Sequence, residues 1–299
     1  MRNFILFAGL MALAFVSCKE QPVSVNLDQS TWDTAYEASP EQAQTKDLLI
    51  EEYTGVHCPN CPAGSDLLHT MNEEGAFAGR LHIISVHSGI LTDPISGQAY
   101  NSVQDFRTKD GDQMLNGIFG GDMFKPCAAV DRLKIGNSGS DYFGISTSWA
   151  SMMQEALTEY PGTPVNINIS CSPAGENQFT VEVKVAYTET VEGRQALSIL
   201  LLENDIEDAQ SFPDDYRLYT FQHVFRKALS PYNGQEILPE MGTKPAGQVY
   251  ILRSTLTIDP NDEQQKFWKP ENMEVVAFVH QTGGSDKRVF HSQVAKLIP

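Results

Sequence analysis

Apolar and polar positions follow one another in two different rhythms along this chain. Leu48-Leu49-Ile50 runs into Glu51-Glu52-Tyr53 and then Thr54-Gly55, the pattern of a buried strand that ends in a turn. Leu67, Leu68 and Met71 then recur at helical spacing and predict a helix stopping near Gly75. Leu81 to Val86 reads as a second strand, residues 98–116 as a mostly polar helical stretch, and Ala128 to Leu133 as a third strand. Trp149 to Tyr160 reads as a helix that Pro161-Gly162 ends. Beyond Pro164 the period falls to two. Val165, Ile167, Ile169 and Cys171 alternate with polar residues, as do Phe179, Val181, Val183, Val185 and Tyr187. Further strands are expected at Ala196 to Glu203, Tyr219 to Phe225, Val249 to Ile258, Met273 to His280 and Arg288 to Leu297. Roughly seven strands in about 135 residues match the size and spacing of a β-sandwich. The expected fold class is therefore α/β plus all-β, an α/β domain over 47–160 followed by an Ig-like β-sandwich over 163–299.

The N-terminus changes the picture by naming a compartment. Met1-Arg2-Asn3 precedes thirteen apolar residues, Phe4 to Val16, and then Ser17-Cys18. A bilayer-spanning helix needs ~20 residues, so this run suits the core of a secretory signal instead. Ser17-Cys18 resembles a bacterial lipoprotein box, with Phe15 where Leu is usual; the alternative is an ordinary cleaved signal with a chance cysteine. On the first reading, 1–17 is the signal, Cys18 carries lipid that holds the chain to a membrane, and the polar stretch 18–46 is a tether. The chain has 299 residues with a formal net charge of -17, and no Lys/Arg-rich run interrupts its acidity. Such a surface repels a phosphate backbone, which argues against nucleic-acid binding. At 41% hydrophobic residues the chain has enough apolar material for a sizeable core.

Four cysteines remain beyond Cys18, and two of them form Cys58-Pro59-Asn60-Cys61. This spacing closes a small disulfide ring or offers two ligands to zinc. Placed between a strand and a helix, it is the arrangement of a thioredoxin-like site. Cys58 is expected at the helix N-terminus, where unpaired N–H groups and the helix dipole favour a thiolate. Cys61 is expected one turn in, more buried and placed to resolve a mixed disulfide, with Pro59 in the first turn.

The stretch Glu51-Glu52-Tyr53-Thr54-Gly55-Val56-His57-Cys58-Pro59-Asn60-Cys61-Pro62 resembles the signature of the outer-membrane-protein-28 family of Bacteroidetes lipoproteins. Phe221-Gln222-His223-Val224-Phe225-Arg226 and Val275-Val276-Ala277-Phe278-Val279 are similar to further patches of it. The resemblance implies a thioredoxin-like domain joined to a β-rich one, and a place at the outer membrane, facing the periplasm or the cell surface. Within the wider thioredoxin group, Lys125-Pro126 before Cys127-Ala128-Ala129-Val130 looks like the cis-proline loop, where the backbone of Lys125 would pair with an extended substrate strand. Glu52 occupies the place of the buried carboxylate six residues before the first cysteine. His57 replaces the usual Trp, and Pro-Asn the usual Gly-Pro.

Each candidate has a competing reading. Cys58 and Cys61 serve redox exchange, a fixed structural disulfide, or a metal, the last weakened because no second CxxC follows. Glu52 is the proton acceptor for Cys61 unless Glu51 is the one facing inward. His57 stabilises the Cys58 thiolate or is a surface residue. His87, ending the second strand, lies on the same sheet edge as the cysteine pair if the strands are parallel. Cys127 is a further thiol near the site or a buried inert one, and Cys171 reads as core. The clusters Asp110-Gly111-Asp112 and Asp259-Pro260-Asn261-Asp262-Glu263 read as solvated turns rather than calcium loops. No P-loop, dinucleotide fingerprint, H-E-x-x-H or G-x-S-x-G motif occurs. Neither a metal nor a cofactor is expected. Two functions follow: a lipid-anchored thiol-disulfide oxidoreductase acting on a protein or peptide thiol or disulfide, or a non-catalytic surface lipoprotein, an adhesin or binding module, with a structural disulfide.

Overall fold

The computed structural model describes residues 31–121, 124–135 and 141–298. The expected signal segment and Cys18 lie outside them. The chain begins with β1 (Trp32–Glu37), β2 (Leu48–Thr54), α1 (Cys61–Glu73), β3 (Leu81–His87), α2 (Lys109–Met114), β4 (Cys127–Val130), β5 (Phe143–Gly144) and α3 (Trp149–Glu159). It continues with β6 (Val165–Gly175), β7 (Gln178–Tyr187), β8 (Val191–Glu192), β9 (Arg194–Glu203), β10 (Ile206–Ser211), β11 (Tyr216–Phe221) and β12 (Val224–Ala228). The last strands are β13 (Gln235–Glu236), β14 (Thr243–Lys244), β15 (Gln248–Thr257), β16 (Met273–Thr282) and β17 (Val289–Lys296). The fold is thus mixed α/β in its first half and β-rich in its second.

The halves share a sheet. A nine-stranded sheet runs β17-β16-β9-β12-β3-β2-β4-β5, with β13 beside β9. The change of period at Pro161-Gly162 therefore marks the end of α3 but no edge of hydrogen bonding. β12 lies parallel to β3 and antiparallel to β9, so it joins early strands to late ones. Following the paired positions Ser85, Val224 and Glu203 outward shows that α1, α3 and the four-stranded sheet β1-β15-β7-β6 cover the same face of the large sheet. Leu48, Ile50 and Ala128 pack there on Leu68 and Trp149, and Ile199, Leu201 and Val275 pack on Val183 and Leu252. The opposite face buries Tyr53, Val86, Leu200 and Phe278 against Met114 and Leu115 at and just beyond the end of α2. A sandwich is present, but one of its leaves is the far end of the large sheet, not a sheet of a separate Ig-like unit. The stretch Ile199-Leu200-Leu201-Leu202 of β9 is apolar on both sides because both of its faces are covered.

Three local expectations change. Residues 98–116 are helical only from Lys109, where the Thr108 hydroxyl accepts the Gly111 N–H as a cap. The expected strand Tyr219 to Phe225 is two strands, broken at Gln222-His223, where His223 takes a left-handed φ of 54°. The stretch read as a tether contains β1, paired along its whole length with β15. All six β1 residues are exposed, so the strand is held by backbone pairing and leaves no apolar period to read.

Candidate functional site

Alternation along β2 sends its paired carboxylates to opposite faces. Glu51 lies on the face away from α1, where both oxygens accept hydrogen bonds of 2.8 Å from buried Arg132. That guanidinium also sits 4.8 Å from the Phe278 ring centroid. Glu52 faces α1 and stands opposite Ser85 in the parallel register of β2 and β3. Ser65 Oγ donates to its Oε1 at 2.8 Å and Ser85 Oγ to its Oε2 at 2.9 Å. Burial pushes the Glu52 carboxyl above its ordinary pKa, and the two hydroxyls oppose that rise without cancelling it. Glu52, not Glu51, is the inward carboxylate on the cysteine side.

Cys58 and Cys61 are joined in a disulfide. The Cys58 N–H donates to Gly55 O and the Cys61 N–H to Cys58 O, so a tight turn comes first and the helical ladder starts with Gly64 N–H to Asn60 O. Cys61 is consequently the first helical residue, and Cys58 lies in the turn ahead of it rather than at the start of the helix. Pro59 is outside the helix and Pro62 occupies the first turn, where its missing N–H costs nothing. Gly64 allows α1 to lie against the proline loop: a Cβ there would come within 2.9 Å of Pro126 Cγ and 3.2 Å of Trp149. The Lys125-Pro126 peptide is cis. Lys125 Nζ donates to Ser88 O at 2.8 Å, tying the proline loop to the end of β3.

A hairpin lies across the pair. β10 and β11 form a two-stranded sheet joined by strand pairing to no other sheet among the described residues. Gln210 Nε2 donates to Cys58 O at 2.9 Å and to Ser211 O at 3.0 Å, and the Ser211 N–H donates to Val56 O at 2.8 Å. Tyr219 Oη donates to Asp66 of α1 at 2.9 Å. On the other side, the Asp208 carboxylate accepts the N–H groups of Val103 and Gln104, both at 2.8 Å. Ala209 and Phe221 complete the seal by packing with Val56, Ile95 and Phe106. Cys58 and Cys61 are each only 1% exposed as a result.

Behind the hairpin is a cavity of about 200 Å³. Glu52, Cys61, Ser65, Ser85, His87 and His223 are among its lining residues, and exposed Asp66, His69 and Thr220 stand at its lip. His87 is where the parallel sheet was expected to put it, on the α1 face opposite Thr54. It is buried, and its ring lies between Phe106 at 4.9 Å and Phe221 at 5.6 Å. Both ring nitrogens lack a hydrogen-bond partner among the described residues. Burial, helped by the charge of Lys125, lowers its pKa to about 3, so the ring is neutral near pH 7. His57 is half-buried on the hairpin side, its N–H bonded to Leu91 O and its ring edge-on to Tyr216.

The structure brings Glu52 and His87 to one cavity with Cys61, and sets Pro126 against α1. Cys127 is buried on the opposite face of the sheet, with Tyr53 and Phe225, away from Glu52. Cys171 packs half-buried against the sandwich core, where burial pushes its thiol to about 11. Asp259 and Asp262 spend their carboxylates on N–H groups of their own turn. Sequence reading missed Ser65, Ser85, Gln210 and His223. Ser65 was within reach, being four residues beyond Cys61 on one helix face. Gln210 has no local signal, because only the hairpin's docking brings it to Cys58.

No family model and no curated protein matches this sequence. Among solved structures, HBP35 of Porphyromonas gingivalis is similar, with a TM-score of 0.64 and 16% identity over 86% of this chain and 77% of that one. A domain of the outer membrane lipoprotein Omp28 from the same organism matches 46% of this chain and 90% of its own length, at 19% identity and a TM-score of 0.31. The first likeness extends over most of both chains, and at its identity it establishes a shared fold: a mixed α/β and β-rich architecture built on one large sheet.

Proposed function

We propose that this chain is a lipid-anchored protein of the cell envelope whose β2, α1, β3, β4, β5 and α3 form a thioredoxin-like unit carrying out thiol-disulfide exchange at Cys58 and Cys61. The observation that carries this reading is the disulfide at the strand-to-helix junction with the protonatable carboxyl of Glu52 buried in the same cavity as Cys61. Burial raises the pKa of the Glu52 carboxyl, so it keeps its proton to higher pH than an exposed carboxyl and is placed to exchange it with a neighbouring thiolate. Cys58, just ahead of α1, is the sulfur whose thiolate the helix N-terminus favours. Lys125, Pro126 and His57 frame the pair from the proline loop and the hairpin side.

A second reading has its own observation. The 1% exposure of both cysteines under the hairpin is what a fixed structural disulfide in a binding module would show. Titration in thiol-disulfide buffers separates the two. Exchange requires that the pair reduce and reoxidise reversibly in the folded protein, and that Glu52→Gln slow the cycle. A pair that stays oxidised until the protein unfolds would assign the chain to the binding-module reading.

A further inference from the structure

The hairpin and the cavity together sort the molecules that reach the disulfide. On the hairpin side, the carbonyls of Val56 and Cys58 already accept the Ser211 N–H and the Gln210 amide. An extended polypeptide recognised by strand addition needs such backbone groups unpaired. On the other side, Cys61 lines the cavity and Cys58 does not. Its volume, about 200 Å³, is below the ~300–1,000 Å³ of sites that hold drug-sized ligands. It suits a molecule of a few heavy atoms. Its walls set polar groups beside apolar Pro62, Ile83 and Phe221: the Glu52 carboxyl, the Ser65 and Ser85 hydroxyls, and the unpartnered nitrogens of buried His87. Asp66 stands at the lip, and none of the described residues lining the cavity is Lys or Arg.

Resting on the exchange reading above, we infer that the cavity is the binding site of a small, non-protein thiol, preferably a cationic aminothiol, which exchanges with the disulfide at Cys61. The thiolate of the small molecule attacks Cys61 Sγ, the Cys58–Cys61 bond breaks, and its electron pair leaves on Cys58 as thiolate. Departure is favoured at Cys58 because its thiolate lies just ahead of α1, where the unpaired N–H groups and the helix dipole stabilise negative charge. A second small thiolate attacks the outer sulfur of the mixed disulfide, releasing the small-molecule disulfide and the Cys61 thiolate, which takes a proton from Glu52. The balance is one protein disulfide and two thiols converted to one dithiol and one small disulfide. Running backward, the same steps oxidise the protein, with the Cys58 thiolate closing the ring. His87 contacts the guest directly, its neutral ring giving one donor and one acceptor to the guest's polar end.

The test uses the oxidised full-length protein and three probes at equal thiolate concentration: cysteamine, thioglycolate and a cysteine-containing peptide. Cysteamine should reduce the pair ~10-fold faster than thioglycolate at low ionic strength, the advantage shrinking in molar salt. The peptide should be slower than cysteamine. In single-cysteine variants treated with cystamine, Cys61 (in Cys58→Ser) should form the mixed disulfide faster than Cys58 (in Cys61→Ser). His69→Trp, at the exposed lip, should slow cysteamine without lowering the melting temperature. If the peptide matches cysteamine, or Cys58 is trapped first, the inference is wrong while exchange stands. If no probe reduces the folded protein, both fall together.

Discussion

Gln210→Ala is the sharpest probe of the covered disulfide. The wild-type amide is buried and donates to Cys58 O at 2.9 Å and Ser211 O at 3.0 Å, with a longer contact of 3.4 Å to Gly55 O. Truncation removes these bonds from a site that water enters only when the hairpin lifts. Losing a donor to buried acceptors costs ~1–3 kcal/mol, and Cys58 O keeps its bond from the Cys61 N–H, so about 2 kcal/mol is the central figure. The loss falls on the closed hairpin, because the lifted one already exposes the same carbonyls. At ~1.4 kcal/mol per tenfold, the open population rises ~30-fold. A reductant too large for the cavity, such as a small folded dithiol protein, reacts only with the open form when closing is faster than attack. Its second-order rate of reducing Cys58–Cys61, followed by maleimide trapping of new thiols, should therefore rise by the same ~30-fold. Tyr219→Phe removes the hydroxyl bond to Asp66 at the hairpin's edge, worth ~0.5–1.5 kcal/mol, and should give a smaller gain. Rates within threefold of wild type for both variants, with the urea transition intact, would refute the idea that the hairpin guards the pair.

The remaining expectations are simpler. Arg132→Met strands Glu51, whose partner it is at 2.8 Å with both side chains 1% exposed, and should cost ~3–5 kcal/mol in urea unfolding; restoring most of that with Glu51→Leu in the same chain would confirm an uncompensated charge as the cause. Glu52→Gln should be more stable than wild type at pH 8 and lose that advantage toward pH 4, because a raised folded pKa leaves the wild type holding a proton that the unfolded chain releases above about 4.5; urea midpoints that differ equally at both pH values would contradict it. His87, His280 and His291 are lowered by burial to about 3 and His82 to about 4, so their contribution is complete above pH 6.5 and is lost as the pH falls toward those values. Each imidazole adds at most ~1.4 kcal/mol per pH unit, and a urea midpoint unchanged between pH 7 and pH 4.5 would exclude it. Cys18→Ala should release the protein from membranes into the soluble fraction; a variant still sedimenting with membranes would remove the lipid-anchor proposal.

What the sequence determined by itself was what depends on neighbours in the chain. The strand ending in Tyr53-Thr54, the CxxC turn, the helix that follows and the period-two strands beyond Pro164 are written in spacing, because main-chain bonding and side-chain alternation act over a few residues. The choice between Glu51 and Glu52 needed only the knowledge of which face α1 covers, and the hydrogen bond from Ser65 of α1 to Glu52 supplied it. Only the tertiary structure decided that the strands of both halves form one sheet, since β12 meets β3 through a parallel pairing of residues far apart in sequence. No local pattern distinguishes a strand that starts a new sheet from one that extends an old one. The hairpin over the cysteines was equally invisible: Gln210 and Cys58 are separated by 152 residues, and an amide in a polar strand looks the same whether it faces water or a buried carbonyl. Burial of the disulfide is a property of that docking, which no local pattern in the chain announces.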